Sequence, residues 1–504
     1  MISHEQQLED LKQRLKEVDD LERASAVLYW DMSTYMPPGG SAGRGQMLST
    51  LSQVAHEKFT SAEIGKLLDT LQSYGEALPH DHDDAALLRV TRRNYDRRIK
   101  LPARFVGEVT EHVSHVYQLW TTARPANDWA KVRDPLKKTL ELSRRGAEYF
   151  APYDHIADPM IDMSDYGMKT ADIRRVFGEL REELVPLVKA ITAQQPADDS
   201  ALHRFFPEAA QIAFGEAVIR DMGYDFERGR QDKTAHPFMI RFNSGDIRIL
   251  TRVDEHYFND AFFSTVHEAG HAMYEQGINP AYDGTPLAEG TSAGVHESQS
   301  RTWENIVARS REFWQHYFPR LQQMFPDALG DVTMDTFHRA VNKVVPSLIR
   351  VDADEVTYNL HVMIRFDLEV ALLEGALEID DLPRAWDERY THDLGITPPD
   401  YQHGVMQDVH WFSGTFGGAF QGYTLGNLLS AQFYEAALKA HPTIPAEIAR
   451  GHFGTLHSWL KDNIYQYGSK LTAPELIQRV TGGGVEVAPL MRYLRTRFGE
   501  LYSL

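Results

Sequence analysis

The chain has 504 residues, 42% of them hydrophobic and 25% charged, an ordinary composition for a soluble globular protein whose length alone suggests two or three domains. A formal net charge of −20 at pH 7 disfavours nucleic acid and membrane surfaces as partners, because phosphate binding needs clustered Lys and Arg. The absence of cysteine excludes disulfides, thiolate nucleophiles and Cys-built zinc sites, so any metal must be held by His, Asp or Glu.

The first segment carries Leu8, Leu11, Leu15, Val18 and Leu21 at spacings of three and four, the pattern of an amphipathic helix. It lacks the basic stretch and apolar core of a signal peptide, and no run of about eighteen apolar residues follows anywhere. A cytoplasmic enzyme is the expectation. Helical periodicity recurs over 170–192 and 355–376, with a polar surface loop expected at Gln194–Ser200. Residues 236–254 differ: apolar and polar residues nearly alternate on either side of Asn243-Ser244-Gly245, which predicts a β-hairpin within a small sheet. The stretch Phe412–Tyr423, rich in Gly and aromatic residues, reads as a structured loop. Neither repeats nor a linker interrupt the pattern. The expectation is one large, mostly helical catalytic domain over 1–504, with room for two lobes around a cleft.

Residues 267–271 read His-Glu-Ala-Gly-His. On a helix, His267 and His271 lie one turn apart on one face, about 5–6 Å between Cβ atoms, so both imidazoles can bind one zinc ion. Glu268 then stands beside the metal, placed to take a proton from a water molecule. Phe262, Phe263, Val266, Met273 and Tyr274 supply an apolar stripe, Asn259 or Asp260 a candidate cap, and Gly277 a stop. Gly270 weakens the helix by about 1 kcal/mol against Ala, and its missing side chain is expected to clear room beside the metal. A catalytic zinc needs a third protein ligand and an open position. Glu297, 26 residues after His271, is the preferred candidate because His296 and Arg301 flank it; Glu304 competes.

This motif is one of six separated patterns: His236-Pro237-Phe238; Asp246 to Thr251; His267 to His271; His296 to Arg301; Ile349-Arg350 with Ala353-Asp354; and Gly404, Gln407-Asp408 with His410-Trp411. Trp30-Asp31 and Met36 to Gly40 add an early one. In this order the chain resembles the Taq-type metallocarboxypeptidases, prokaryotic HEXXH zinc enzymes, over nearly its whole length. The second pattern carries one residue more than the family's Asp-x-Arg-x-Thr. The resemblance implies a saddle-like helical fold with a deep groove, similar to neurolysin and angiotensin-converting enzyme, and a small β-sheet beside the active site. It also implies a homodimer that releases single carboxyl-terminal residues from peptides with broad tolerance, acidic residues and Pro being poor at that end.

Roles follow from the resemblance. Arg350 is expected to hold the substrate's terminal carboxylate, its alternative being an ion pair with Asp352 or Asp354. Tyr423 and His410 are candidates for stabilising the oxyanion, and His410 could instead be satisfied by Asp408. His236 either lines the groove or locks the hairpin. The cofactor expected is one zinc ion per chain, which cobalt can replace.

Overall fold

The computed structural model describes residues 3–504. It is mostly helical, opening on His4–Thr34, whose first turn is closed by a reciprocal Ser3–Gln6 capping box. Leu8, Leu11, Leu15 and Val18 are buried along one face, as their spacing predicts. Met36 to Gly40 forms the tight link to the next helix, Ser41–Phe59.

The helix predicted at 170–192 is observed as Thr170–Thr192, with Ile173, Phe177, Leu180, Leu184, Val188 and Ile191 buried at three- and four-residue spacings. The 355–376 segment is helical over Tyr358–Glu374. Its start is set by the Asp354 carboxylate, which accepts from the backbone amides of Val356 and Thr357. Its end is set by Gly375 at φ +78°, a conformation glycine adopts without strain.

The hairpin is present as part of a three-stranded sheet in the order β1 (Gln231–Lys233), β3 (Asp246–Thr251), β2 (Phe238–Asn243). β2 is antiparallel to β3 and β1 parallel to it. The extra residue of the Asp246–Thr251 pattern leaves β3 continuous; the ladder is irregular only between Arg241 and Asn243 of β2. Asn243 Oδ1 accepts from the Gly245 amide and tightens the turn. Ile247, Ile249 and Leu250 are fully buried on β3.

Two apolar cores organise the helices. One gathers the amino-terminal helices, the inner residues of β3, and the helices Phe258–Gly277 and Arg311–Met324. The other gathers Thr170–Thr192, Tyr358–Glu374, Leu382–Leu394 and Ala488–Tyr502. Helix Gln421–Ala440 serves both: Leu429, Phe433 and Ala437 enter the first core, Leu425, Leu428 and Ala431 the second. The candidate site residues lie where the two cores meet.

Candidate active site

His267 and His271 project from helix Phe258–Gly277, the motif helix. The apolar stripe read from the sequence is buried, Phe262 to Tyr274 inclusive. No side chain caps the helix start; Asp260 instead pairs with Arg252 at 2.8 Å. After a connecting loop, helix Ala293–Arg301 packs across the motif helix and brings Glu297 to the two histidines. Its last turn continues into a π-helical turn, Thr302–Val307, which carries Glu304.

Gly270 makes this approach possible. A Cβ there would lie 2.7 Å from Ser300 Cα and 2.8 Å from the Gln299 carbonyl oxygen. The space it clears is for the backbone of the neighbouring helix, which corrects the expectation of room beside the metal. Gly426 does the same for the ligand itself, since its Cβ would meet Glu297 Cγ at 2.4 Å.

One donor atom from each of His267, His271 and Glu297 falls within 4.8 Å of the other two. Glu297 Oε2 is 3.4 Å from His271 Nε2 and 3.7 Å from His267 Nε2. Bonds of about 2.0–2.1 Å in a tetrahedron give donor–donor edges of about 3.3–3.4 Å, so the set fits a zinc-sized cation with little movement. The outward atoms are already committed. His267 Nδ1 donates to Glu304 Oε2 at 2.8 Å, so Glu304 stands behind the imidazole and outside the three-donor set. His271 Nδ1 lies 2.6 Å from His296 Nδ1, and His296 Nε2 lies 2.9 Å from Glu275 Oε1. With His271 donating inward and His296 onward to the carboxylate, both ligand imidazoles keep Nε2 as a bare acceptor. Arg301 ties the ensemble together, donating to Glu297 Oε1 at 2.7 Å and Glu304 Oε2 at 3.1 Å.

The electrostatics suit a bound cation at His271 and Glu297. Burial pulls His271 down to about 4, which keeps it neutral as a ligand must be. Burial opposes protonation of His267 too, but Glu297 and Glu304 outweigh it and raise that group. Glu297 is held well below the usual carboxylate range: burial works against this, and Arg301 with His267 overcomes it. Glu268 is 7% exposed, and burial lifts it to about 7, with His267 opposing and Glu297 adding. A buried carboxylate poised near neutrality suits a proton carrier.

A second cluster adjoins the first. Arg350 is 6% exposed and donates from Nε to Asp408 Oδ2 at 2.6 Å and from Nη1 to the Tyr358 hydroxyl at 2.9 Å. Its ion-pair partner is therefore Asp408, and neither Asp352 nor Asp354. Arg365, fully buried among Trp386, Trp411 and Phe420, reaches the same Asp408 oxygen at 3.4 Å. His410 Nδ1 meets the other Asp408 oxygen at 2.6 Å, and His410 Nε2 faces the Tyr423 hydroxyl at 3.4 Å. Burial would raise Asp408, but Arg365, His410 and Arg350 hold it far below the ordinary range. Tyr423 belongs to the first turn of helix Gln421–Ala440 rather than to the Gly-rich loop, so its backbone is fixed. Burial pushes its phenol to about 12, leaving it a proton donor at neutral pH. His236, on the exposed segment before β2, is lowered by burial and by the charges of Arg252, Arg350 and His410.

The sequence reading missed Glu275, although the series 267, 271, 275 repeats every four residues on one helical face and could have shown it. It also missed Arg365 and Tyr358. Their helix is apolar on most sides, and nothing local marks which of its polar residues faces the site.

Comparison with known proteins gives the family. Residues 10–498 match the family described as carboxypeptidase Taq (M32) metallopeptidase. The chain is 41% identical to thermostable carboxypeptidase 1 of Thermus thermophilus over 501 residues, covering 97% of each. It is 35% identical to carboxypeptidase 1 of Bacillus subtilis, again over 97% of each. Among solved structures it is similar to the M32 carboxypeptidase of Deinococcus radiodurans, with a TM-score of 0.96 and 47% identity over 99% of this chain and 100% of that one. With two helices converging a His-Glu-x-x-His pair on a glutamate, and with matches over the full length of its relatives, the chain belongs to the carboxypeptidase Taq (M32) family of metallopeptidases and is a metallocarboxypeptidase.

Proposed function

We propose that the protein is a zinc carboxypeptidase that releases single residues from peptide carboxyl termini, with His267, His271 and Glu297 holding the ion. The observation that carries this reading is the convergence of three donors whose remaining polar atoms are already bonded to Glu304, His296 and Arg301. A cation held there supplies Lewis acidity, polarising a peptide carbonyl and lowering the pKa of water. Cobalt can serve in its place, since the donor set is two imidazoles and a carboxylate.

The chain's own groups perform the rest. Glu268 takes the proton of the attacking water and returns it to the departing amine, a round trip suited to a carboxyl poised near neutrality. Tyr423 and His410 donate hydrogen bonds to the negative oxygen that develops on the carbonyl. Arg350, its Nε and Nη1 fixed by Asp408 and Tyr358, offers the rest of its guanidinium to the terminal carboxylate. His236 borders that position from the β2 side. Residues 1–504 act as one catalytic unit, its two cores joined through helix Gln421–Ala440, and two copies pair in the cytoplasm. Substrate choice is broad among neutral carboxyl-terminal residues, because Arg350 recognises the terminus and not its side chain.

The test is an N-blocked dipeptide supplied as the free acid and as the amide. The acid is hydrolysed and the amide is not, and Glu268→Gln lowers turnover by about 10²–10⁴-fold with the metal retained. Equal hydrolysis of acid and amide would instead mark an enzyme that cuts internally.

A further inference from the structure

His296 and Glu275, which back the candidate site, also line a cavity of about 470 Å³. Helix Ala293–Arg301 relates it to the rest of the site. The helix's first residues, Ala293 and His296, line the cavity; its last, Arg301, stacks on Tyr358, the residue that holds Arg350. The cavity and Arg350 thus lie toward opposite ends of one helix, with the metal ligand Glu297 between them. On the carboxypeptidase reading, on which this inference rests, a peptide with its terminal carboxylate at Arg350 directs its upstream residues toward the cavity.

The cavity's charges are unevenly paired. Its walls carry four arginines against three carboxylates, in a chain whose net charge is −20. Arg23 is neutralised by Asp19 at 2.9 Å and Glu289 at 2.7 Å. Arg241 faces Glu275 at 3.4 Å and also pairs with Asp283. Arg93 and Arg97 differ: among the described residues, neither has a carboxylate within ion-pair distance. Arg97 donates to the Asp162 backbone carbonyl, and Arg93 Nε is buried without a partner. Their guanidinium carbons lie 4.3 Å (Arg93) and 5.1 Å (Arg97) from the centre of the Tyr166 ring, which holds the two cations side by side. Burial lowers both groups from the ordinary arginine range, Arg97 adds to the effect on Arg93, and Asp162 opposes it at both without overcoming it. Asp162 acts on both from beyond ion-pair distance, so two adjacent half-buried cations keep donors that no carboxylate engages directly, and an arriving anion can take them.

We propose that Arg93 and Arg97 form an anion subsite that receives the side-chain carboxylate of an Asp or Glu upstream of the scissile bond. Two guanidinium forks present the planar donor geometry that a carboxylate accepts, and Tyr166 fixes their orientation. The subsite acts on a different residue of the substrate from the one released, so it is independent of the side chain at the carboxyl terminus.

The experiment uses the metal-loaded enzyme and N-blocked peptides with one common carboxyl-terminal residue. A single Glu or its neutral isostere Gln is placed at each upstream position in turn. The ratio of kcat/KM for Glu over Gln is expected to reach about tenfold at one position and to shrink with added salt. In Arg93→Gln and Arg97→Gln it falls toward one. Should either fail to fold, Arg93→Lys and Arg97→Lys, which keep the charge but lose the fork, must lower the ratio. Binding of the same labelled peptides to Glu268→Gln, read by fluorescence anisotropy, gives the ratio without turnover. A wild-type ratio of one at every position, or a ratio that survives in all the arginine variants, overturns the subsite alone. No hydrolysis of any peptide overturns the carboxypeptidase reading and the subsite with it.

Discussion

The metal cluster and the Arg350 cluster adjoin each other, yet their charges are incomplete in opposite senses. Around His267 and His271 stand four buried carboxylates, Glu268, Glu275, Glu297 and Glu304, answered by three arginines: Arg301, Arg309 at 3.5 Å from Glu304, and Arg241 at 3.4 Å from Glu275. Around Arg350 the surplus is positive. Arg350, Arg365 and His410 share the single carboxylate Asp408, and the nearby Glu369 is pushed up to about 7 by burial. On the proposed function, the first region is completed by a cation and the second by an anion, which are what a metal ion and a carboxyl terminus bring. The two also differ in construction. The metal cluster is built on helices that follow each other in the chain, whereas the Arg350 cluster collects residues from four segments between 350 and 423.

Removing the shared group from each region should separate them. Glu297→Ala deletes a ligand and one partner of the buried Arg301; metal binding is expected to disappear and stability to drop by about 3–5 kcal/mol, read by metal analysis and by denaturant unfolding. Asp408→Asn leaves Arg365 buried without a counter-charge, so a loss of about 3 kcal/mol is expected, with metal content unchanged. Loss of metal in this second variant would show that the regions are not independent.

The Asp408 effect has a defined pH dependence. Its folded-state pKa is depressed, so its contribution is full above the ordinary carboxylate value of about 4 and is lost as pH falls toward the folded value. The stability gap between wild type and Asp408→Asn should be flat from neutral pH down to about pH 5 and shrink below pH 4.

Smaller changes sharpen the metal side. Glu304→Gln keeps the shape but weakens the acceptor for His267 Nδ1, and should lower metal affinity by about 10–100-fold while leaving stoichiometry intact at saturation. Gly270→Ala adds about 1 kcal/mol of helix propensity, but its methyl meets backbone at 2.7 Å, where overpacking costs about 1–3 kcal/mol. A net loss of about 1 kcal/mol is expected. A stabilised Gly270→Ala would show that the two helices have room to part.

Much of the metal side was legible in the sequence because helical spacing alone puts 267 and 271 on one face and a following helix can return Glu297. The hairpin and helix Thr170–Thr192 were legible for the same reason: their periodicity is local. The second cluster was not. Asp408 reads as a partner for its neighbour His410, and only tertiary packing shows that it also binds Arg350 and Arg365. Tyr423 follows a Gly-rich run that suggests a loop, yet Gly417 and Gly418, at φ +89° and +85°, turn the chain so that a helix begins two residues before the tyrosine. Gly270 was noticed for what it lacks, but the backbone it admits belongs to a distant segment.

The most direct test is metal content per chain for wild type and His267→Ala, measured alongside release of free amino acid from an N-blocked peptide. The account predicts about one zinc per wild-type chain, with both the metal and the release of amino acid gone in the variant. Full metal content and undiminished activity in His267→Ala, or activity in a wild-type protein stripped of metal, would contradict it.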